Sequence, residues 1–223
     1  MARRSGALRP AVSHVCSFAD LASRILSAQP PASMPVRLVA VDGPGGSGKS
    51  TFAARLAETL GDAPVVHTDD LAFHDHATRW WQLLEDWVLE PLAVGQPARF
   101  QRYDWDLRRR TDWCEIPPAP VVLIEGVSAA RAAIRDRLTL SVWVQAPREL
   151  RLRRGLERDG LGLAGFWADW MAEEDAFYAD DPTVDAVDLV VDGDPRLPHD
   201  PEREFVVIRT RRTADNRLAS EQS

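Results

Sequence analysis

The chain is almost without lysine. Of its 27 basic residues, 26 are arginine and one, Lys49, is lysine. A bias of arginine over lysine across a whole sequence is background; the position that escaped it is informative. A compact ammonium group is kept where a planar guanidinium fork does not serve. Asparagine is as scarce, with Asn216 standing alone near the C-terminus. An Asn-Lys-x-Asp motif for reading guanine is therefore absent. Cysteine is limited to Cys16 and Cys114, at no metal-binding spacing, and both are expected as free thiols of a reducing compartment. No apolar run approaches the ~20 residues that span a bilayer. Met1-Ala2-Arg3-Arg4 is basic, but no apolar segment follows it, so no secretion signal is expected and the cytoplasm is the expected compartment. Positive charge is in deficit overall. A net charge of -7 argues against a nucleic-acid partner held by bulk electrostatics. No internal repeat is visible.

What is present suits one folded domain: 223 residues, 45% hydrophobic and 27% charged. Residues 1–16 show no periodic pattern and read as a loose tail. Ser17-Phe18-Ala19-Asp20 opens a short helix to about Ser27 with a capping box. A proline-rich linker, 29–35, follows, and Met34 within it would serve as an alternative start that makes the first helix dispensable. Strands and helices then alternate. Strands are expected at 36–41, 63–68, 121–124, 138–144 and 187–191, and helices at 49–60, 78–94, 147–159 and 165–178. An edge strand is expected at 203–209, and a disordered tail from Thr210. This pattern predicts an α/β fold with a five-stranded parallel sheet covered by helices on both faces. The expected division is 1–34 as tail and short helix, 35–209 as the catalytic domain, and 210–223 as a disordered tail.

Gly43-Pro44-Gly45-Gly46-Ser47-Gly48-Lys49-Ser50 matches G-x-x-x-x-G-K-[ST] between an expected strand and an expected helix. Such a P-loop turns backbone N–H groups inward around phosphate oxygens, and the helix N-terminus adds the positive end of its dipole. Gly43, Gly45, Gly46, Ser47, Gly48, Lys49, Ser50 and Thr51 are therefore the candidate ATP-binding residues. Lys49 reaches the β- and γ-phosphates, and the Ser50 hydroxyl is placed for Mg2+. The strand at 121–124 runs into Glu125, at the strand end where the nucleotide cleft lies, which makes it the second expected magnesium partner. The stretch from Pro147 to Asp159 carries five arginines. Arg151, Arg154 and Arg158 are spaced three and four apart, on one helix face, where they would clamp a phosphoryl group in transfer; Gly160 and Gly162 beyond them suit a closing lid.

In this order the motifs resemble the uridine kinase and phosphoribulokinase group of P-loop phosphotransferases, nearest to uridine kinase-like proteins. The resemblance covers roughly residues 36–192. It rests on the cradle, on Asp69-Asp70 after the second strand, on Glu125-Gly126, on Tyr103-Asp104-Trp105 with Arg110 beyond, and on the arginine-bearing lid helix ending at Arg158-Asp159. It implies an ATP- and Mg2+-dependent kinase with Asp69 as catalytic base beside Lys49, Arg154 and Arg158. It further implies that Asp69, Tyr103, Asp104 and Arg110 contact the acceptor, with uridine or cytidine as the leading acceptor and another hydroxyl-bearing metabolite as the runner-up. Asp70 would support the magnesium shell or cap the following helix. The chain departs from the family in three places. Leu71 and Ala72 replace an aromatic pair, Arg108 stands where a base-reading histidine is placed, and the lid lacks a second arginine cluster. Arg108 among Arg109 and Arg110 would favour an anionic or hydroxyl-rich acceptor.

Eight tryptophans are expected mostly in packing, with an aromatic acceptor lining as the sharper alternative. His74-Asp75-His76 is thin support for a metal site. The expected partner is a small-molecule acceptor, with no nucleic acid and no membrane; a homo-oligomer stays open. A nucleotide-binding regulator with slow hydrolysis is the competing class, and it would need no acceptor base.

Overall fold

The strands Arg37–Asp42, Val121–Glu125, Leu140–Gln145 and Leu189–Asp192 are near-continuous apolar runs, the composition of strands covered on both faces. Successive residues point to opposite sides. Leu38 and Ala40 accordingly enter one core with Trp80, Leu84 and Ile124, whereas Val39 and Val41 enter the other with Phe52, Leu56 and Leu123.

The computed structural model describes residues 13–72 and 80–211. Its strands are β1 (His14–Ser17), β2 (Arg37–Asp42), β3 (Val65–His67), β4 (Ala98–Asp104), β5 (Arg109–Ile116), β6 (Val121–Glu125), β7 (Leu140–Gln145), β8 (Leu189–Asp192) and β9 (Glu204–Thr210). Its helices are α1 (Phe18–Ser27), α2 (Lys49–Thr59), α3 (Thr68–Leu71), α4 (Trp81–Leu84), α5 (Glu90–Ala93), α6 (Arg148–Asp159), α7 (Ala164–Asp180) and α8 (Thr183–Ala186). The main sheet runs β1-β9-β8-β7-β2-β6-β3. The five strands from β8 to β3 pair in parallel, as expected, and β9 and β1 add antiparallel pairs. From β2 the chain goes to β3 on one side and later to β7 on the other. The carboxyl end of β2 is thus the switch point where an open α/β sheet leaves a crevice. Among the described residues no helix is long and apolar enough to cross a membrane.

Several expectations need correction. The end of the supposed loose tail, His14–Ser17, is a strand on β9, because its backbone completes that ladder. The expected edge strand at 203–209 is consequently an inner one, β9, flanked by β8 and β1, and it runs through Thr210. The helix expected at 78–94 is α4 and α5 joined by a π-helical turn, Glu85–Leu89, just ahead of Pro91, which has no N–H to give. Residues 98–116 form an unanticipated hairpin, β4–β5, standing apart from the main sheet. Packing shows no break at residue 34: α1 buries Phe18, Leu21 and Ile25 in the same core as β2 and α2. Residues 1–12, the His74-Asp75-His76 stretch, the start of the helix expected from residue 78, and the tail from residue 212 lie outside the described residues.

Candidate active site

The loop Gly43–Gly48 leaves the end of β2 and enters α2. Its backbone takes a left-handed turn at Gly48, and no side chain caps the helix, so the first-turn amides of α2 are left to an anion. The lid packs directly on this loop. The Arg151 backbone fills the space that a Cβ on Gly46 would need. Asp42, fully buried at the last position of β2, fixes where the loop starts. Its Oδ1 accepts from Gly43 N at 2.6 Å, Ser128 N at 2.9 Å and the Tyr178 hydroxyl at 2.7 Å, and its Oδ2 from Ala130 N at 2.8 Å. Burial pushes the Asp42 carboxyl up against those bonds, and burial beside Asp42 pushes the Tyr178 hydroxyl well above its ordinary value, so Tyr178 remains a donor.

Lys49 and Glu125 meet inside the cleft, with Nζ 3.9 Å from Oε1. The Ser50 hydroxyl donates to Glu125 Oε1 at 2.9 Å, and His67 Nδ1 lies 2.7 Å from Oε2. Burial alone would raise the Glu125 carboxyl, but the His67 bond, Lys49 and Ser50 together hold it below its ordinary value. A hydroxyl that gives its proton to a carboxylate keeps lone pairs for a hard cation. Mg2+ is usually held by one or two protein oxygens plus phosphate and water. Ser50 and Glu125 therefore fit magnesium as a pair.

Asp69 sits on α3, one residue past Thr68, which packs into the space beside Gly126. Asp69 is exposed where it opens to the cleft, although many protein atoms lie around its carboxylate. Burial raises its pKa, Lys49 and Arg158 oppose the rise, and Glu125 adds to it. The water contact limits that rise in the open cleft. Asp70 points elsewhere. It pairs with Arg102 of β4 at 3.0 Å, and among the described residues no hydrogen bond joins it to Ser50 or Glu125, so the magnesium role expected for it is corrected, while the start of the helix it was expected to cap lies outside the described residues.

A cavity of about 630 Å³ brings Gly45, Gly46, Lys49, Ser50, Asp69, Arg108 and Arg158 onto one wall system. Trp105, Phe166, Trp167 and Trp170 supply its apolar side, with Asp106 and Asp159 between them. Trp105 lies edge-on to Trp170 at 5.8 Å, and Phe166 is 5.7 Å from Trp170. The Trp105 indole N–H donates to the Asp69 carbonyl at 3.2 Å, so the hairpin carries both an aromatic wall and a tie to the acid-bearing turn. Tyr103, Asp104 and Arg110 are not among the lining residues. Tyr103 is buried against Trp105; Asp104 accepts from Leu107 N inside the hairpin turn; Arg110 donates to the carbonyls of Asp70, Gln101 and Leu71 and stacks over Trp87 at 5.0 Å. These three residues build the wall from behind.

The two lid arginines divide their work. Arg154 donates to Gly46 O at 3.3 Å and Gly193 O at 3.1 Å, tying the loop to the exit of β8. Arg158 faces the cavity, paired with Asp159 at 2.6 Å and lying over the Trp167 ring. A second cavity, of about 500 Å³, opens on the other side of the loop, against Gly48, Thr51, Arg154, Gly193 and the rings of Phe18 and Phe205. Sequence reasoning missed that cavity, along with Asp42, His67, Asp106 and Glu174 as parts of the site; of these only Asp106 carried a signal, as a neighbour of Arg108. Trp105, by contrast, belongs to the Tyr103-Asp104-Trp105 segment, and the aromatic lining weighed for the tryptophans is where Trp105, Trp167 and Trp170 lie.

No family model matches the chain. It is 24% identical over 178 residues to the uridine kinase of Borrelia duttonii (strain Ly), which spans 70% of this chain and 86% of the relative. It is 31% identical over 141 residues to the uridine kinase of Deinococcus deserti, covering 55% and 68%, and 32% identical over 135 residues to the cytidylate kinase of Aeropyrum pernix, covering 60% and 72%. Its fold matches the structure of a possible uridine kinase from Bacillus stearothermophilus with a TM-score of 0.57 at 19% identity, covering 78% of this chain and 96% of that one. With a P-loop, an acid-bearing second strand end and an arginine lid set on this sheet, and with relatives of this identity aligned over most of their length, the chain belongs to the uridine kinase-like family of P-loop kinases.

Proposed function

We propose that the chain transfers the γ-phosphoryl group of ATP to a hydroxyl of a small molecule, with the 5′-hydroxyl of uridine or cytidine as the leading acceptor. The observation that carries this reading is the shared cavity: Asp69, Lys49, Ser50 and Arg158 border one aromatic-walled space of about 630 Å³. A slow hydrolase used as a switch has no need of such a space. The donor's phosphates lie in the cradle, and its nucleoside lies in the cavity beside Gly48 and Thr51.

Asp69 accepts the proton of the acceptor hydroxyl as its oxygen bonds to the γ-phosphorus. The bond from phosphorus to the bridging oxygen breaks, and its electron pair leaves with ADP. The carboxylate opens to the cleft, where an acceptor hydroxyl can come within hydrogen-bond reach of it. Lys49 and Arg158 spread the charge that grows on the transferring group, while Arg154 holds the phosphate loop through Gly46 and Gly193. Magnesium, held by Ser50 and Glu125, would neutralise phosphate charge. The tryptophan faces suit a planar ring, and Asp106 and Arg108 at the rim suit sugar hydroxyls.

The test is ADP release from ATP and magnesium across ribonucleosides, deoxynucleosides, pantothenate and sugar phosphates. Uridine or cytidine should stimulate release, and Asp69→Asn should cut stimulated turnover by ~10²–10⁴-fold while nucleotide affinity stays within a few-fold. Stimulation by a different acceptor keeps the mechanism and discards the substrate. Unstimulated release that is unchanged in Asp69→Asn sinks the reading in favour of a regulator.

A further inference from the structure

One buried carboxylate is not used by the chemistry above. Glu174, in the middle of α7, has no solvent exposure. Its Oε1 accepts from Gly45 N of the phosphate loop at 2.8 Å and from the Trp170 indole N–H at 2.6 Å. Its Oε2 lies 3.4 Å from Arg151 Nη1 of α6, and Lys49 of the loop contributes at longer range. Lys49 and Arg151 are the charged groups that face it from the loop and from the lid. Trp170 in turn forms part of the acceptor cavity wall, against Trp105 and Phe166. A single oxygen therefore holds a residue of the donor site and a residue of the acceptor site.

We propose that Glu174 is a positioning residue that couples phosphate occupancy of the loop to the shape of the acceptor cavity, through the oxygen shared by Gly45 and Trp170. Phosphate groups in the cradle draw on the same Lys49 charge that helps to balance Glu174. They also add negative charge near a carboxylate that water cannot screen. The carboxylate relaxes away from the loop, and Trp170 moves with it because both bonds end on one atom. The acceptor wall is set in this way by whether the donor is bound. The proposal rests on the phosphotransfer reading only in taking the aromatic cavity as the acceptor site.

The experiment needs no acceptor. The β,γ-imido analogue of ATP is titrated with magnesium into the wild type, Trp170→Phe, Glu174→Gln and Glu174→Ala, and indole fluorescence is followed. The wild type should show a nucleotide-dependent component that Trp170→Phe lacks. Glutamine keeps an oxygen for both bonds and removes the charge. Glu174→Gln should therefore bind nucleotide about threefold tighter and lose more than half of the Trp170 component. If Glu174 merely holds α7 in place, Glu174→Gln matches the wild type in affinity and amplitude, and the proposal falls. It falls also if Trp170→Phe and the wild type respond alike. Should Glu174→Ala not fold, the glutamine variant alone decides. Acceptor-stimulated turnover that survives Asp69→Asn would defeat the kinase mechanism and leave this result untouched.

Discussion

At the scale of single residues, the site is organised by carboxylates whose partners differ in kind. Glu125 faces cations and a hydroxyl, Asp69 faces the cleft, and Asp42 is spent on four donors from three segments. Lys49, Ser50, Asp69, Glu125, Arg154 and Arg158 were legible in the sequence because a motif or a strand end marks each. Asp42 and Glu174 were not, since their meaning comes from Tyr178 and Gly45, more than a hundred residues away along the chain. Asp42→Asn tests the first of these. With the carboxamide oxygen toward Gly43, Ser128 and Tyr178, its NH2 group opposes the Ala130 N–H. A buried donor is then left unsatisfied, at about 1–3 kcal/mol. In a chain of this size that lowers Tm by roughly 2–10 °C. The variant also carries a pH signature. Burial raises the folded-state pKa of Asp42, so its contribution to stability is full below the ordinary carboxylate value and is lost as pH rises through the raised one. The wild type's advantage over Asp42→Asn should thus widen as pH is lowered from 7.5 to 5. Thermal unfolding at both values checks it, and a gap that narrows on acidification would contradict the raised pKa.

At the scale of elements, periodicity served well where burial is uniform and poorly where it is not. The inner strands and the lid helices were readable because each buries a continuous run or one stripe. The β4–β5 hairpin was not. Its alternation is broken by a bulge between Gln101 and Tyr103, and of β5 only Ile116 is buried. Its placement comes from distant partners: Ala98, Phe100 and Ile116 enter the core with Trp80 and Leu84, Arg102 pairs with Asp70, and Arg110 donates to the carbonyls of α3. The crossing of α6 and α7 shows local preference and packing in direct conflict. Gly155 lies inside α6, where alanine would favour the helix by about 1 kcal/mol. Atoms of the Trp167 ring occupy the space its Cβ would take, however, and Trp167 is itself buried with its N–H on Asp159. Overpacking of this kind costs about 1–3 kcal/mol, which outweighs the propensity gain. Gly155→Ala is expected to lower the denaturant midpoint and to weaken the Arg158 contribution to turnover by displacing Trp167. A variant more stable than the wild type would show that the two helices part easily.

At the scale of the whole molecule, the N-terminal segment is the largest revision to what the sequence suggested. Met34 reads as a start that would spare the preceding helix, yet β1 and α1 complete one end of the sheet and one of its two cores. Phe18, Phe52 and Phe205 meet with ring centroids 5.0 to 5.1 Å apart, joining α1, α2 and β9 in a single cluster. The pattern was hidden because β1 is only four residues long and its partner β9 lies almost two hundred residues on. Each of Phe18, Leu21 and Ile25 contributes roughly 1.5–3 kcal/mol by burial. Their joint loss approaches the ~5–15 kcal/mol that holds a domain together. A chain beginning at Met34 should therefore show no cooperative thermal transition, or one lower by at least ~10 °C. A truncated chain with an unchanged Tm would mean that α1 is an accessory. The same segment reaches the donor side, because Phe18 lines the cavity beside Gly48 and Thr51. Phe18→Leu separates the two roles. It keeps most of the buried apolar area, so the fold persists, and it removes one ring from the wall against which the donor's nucleoside is placed. Nucleotide affinity should fall severalfold with acceptor KM little changed, because the aromatic cavity proposed for the acceptor lies across the phosphate loop from Phe18. An equal loss for both substrates would instead mark Phe18 as packing alone.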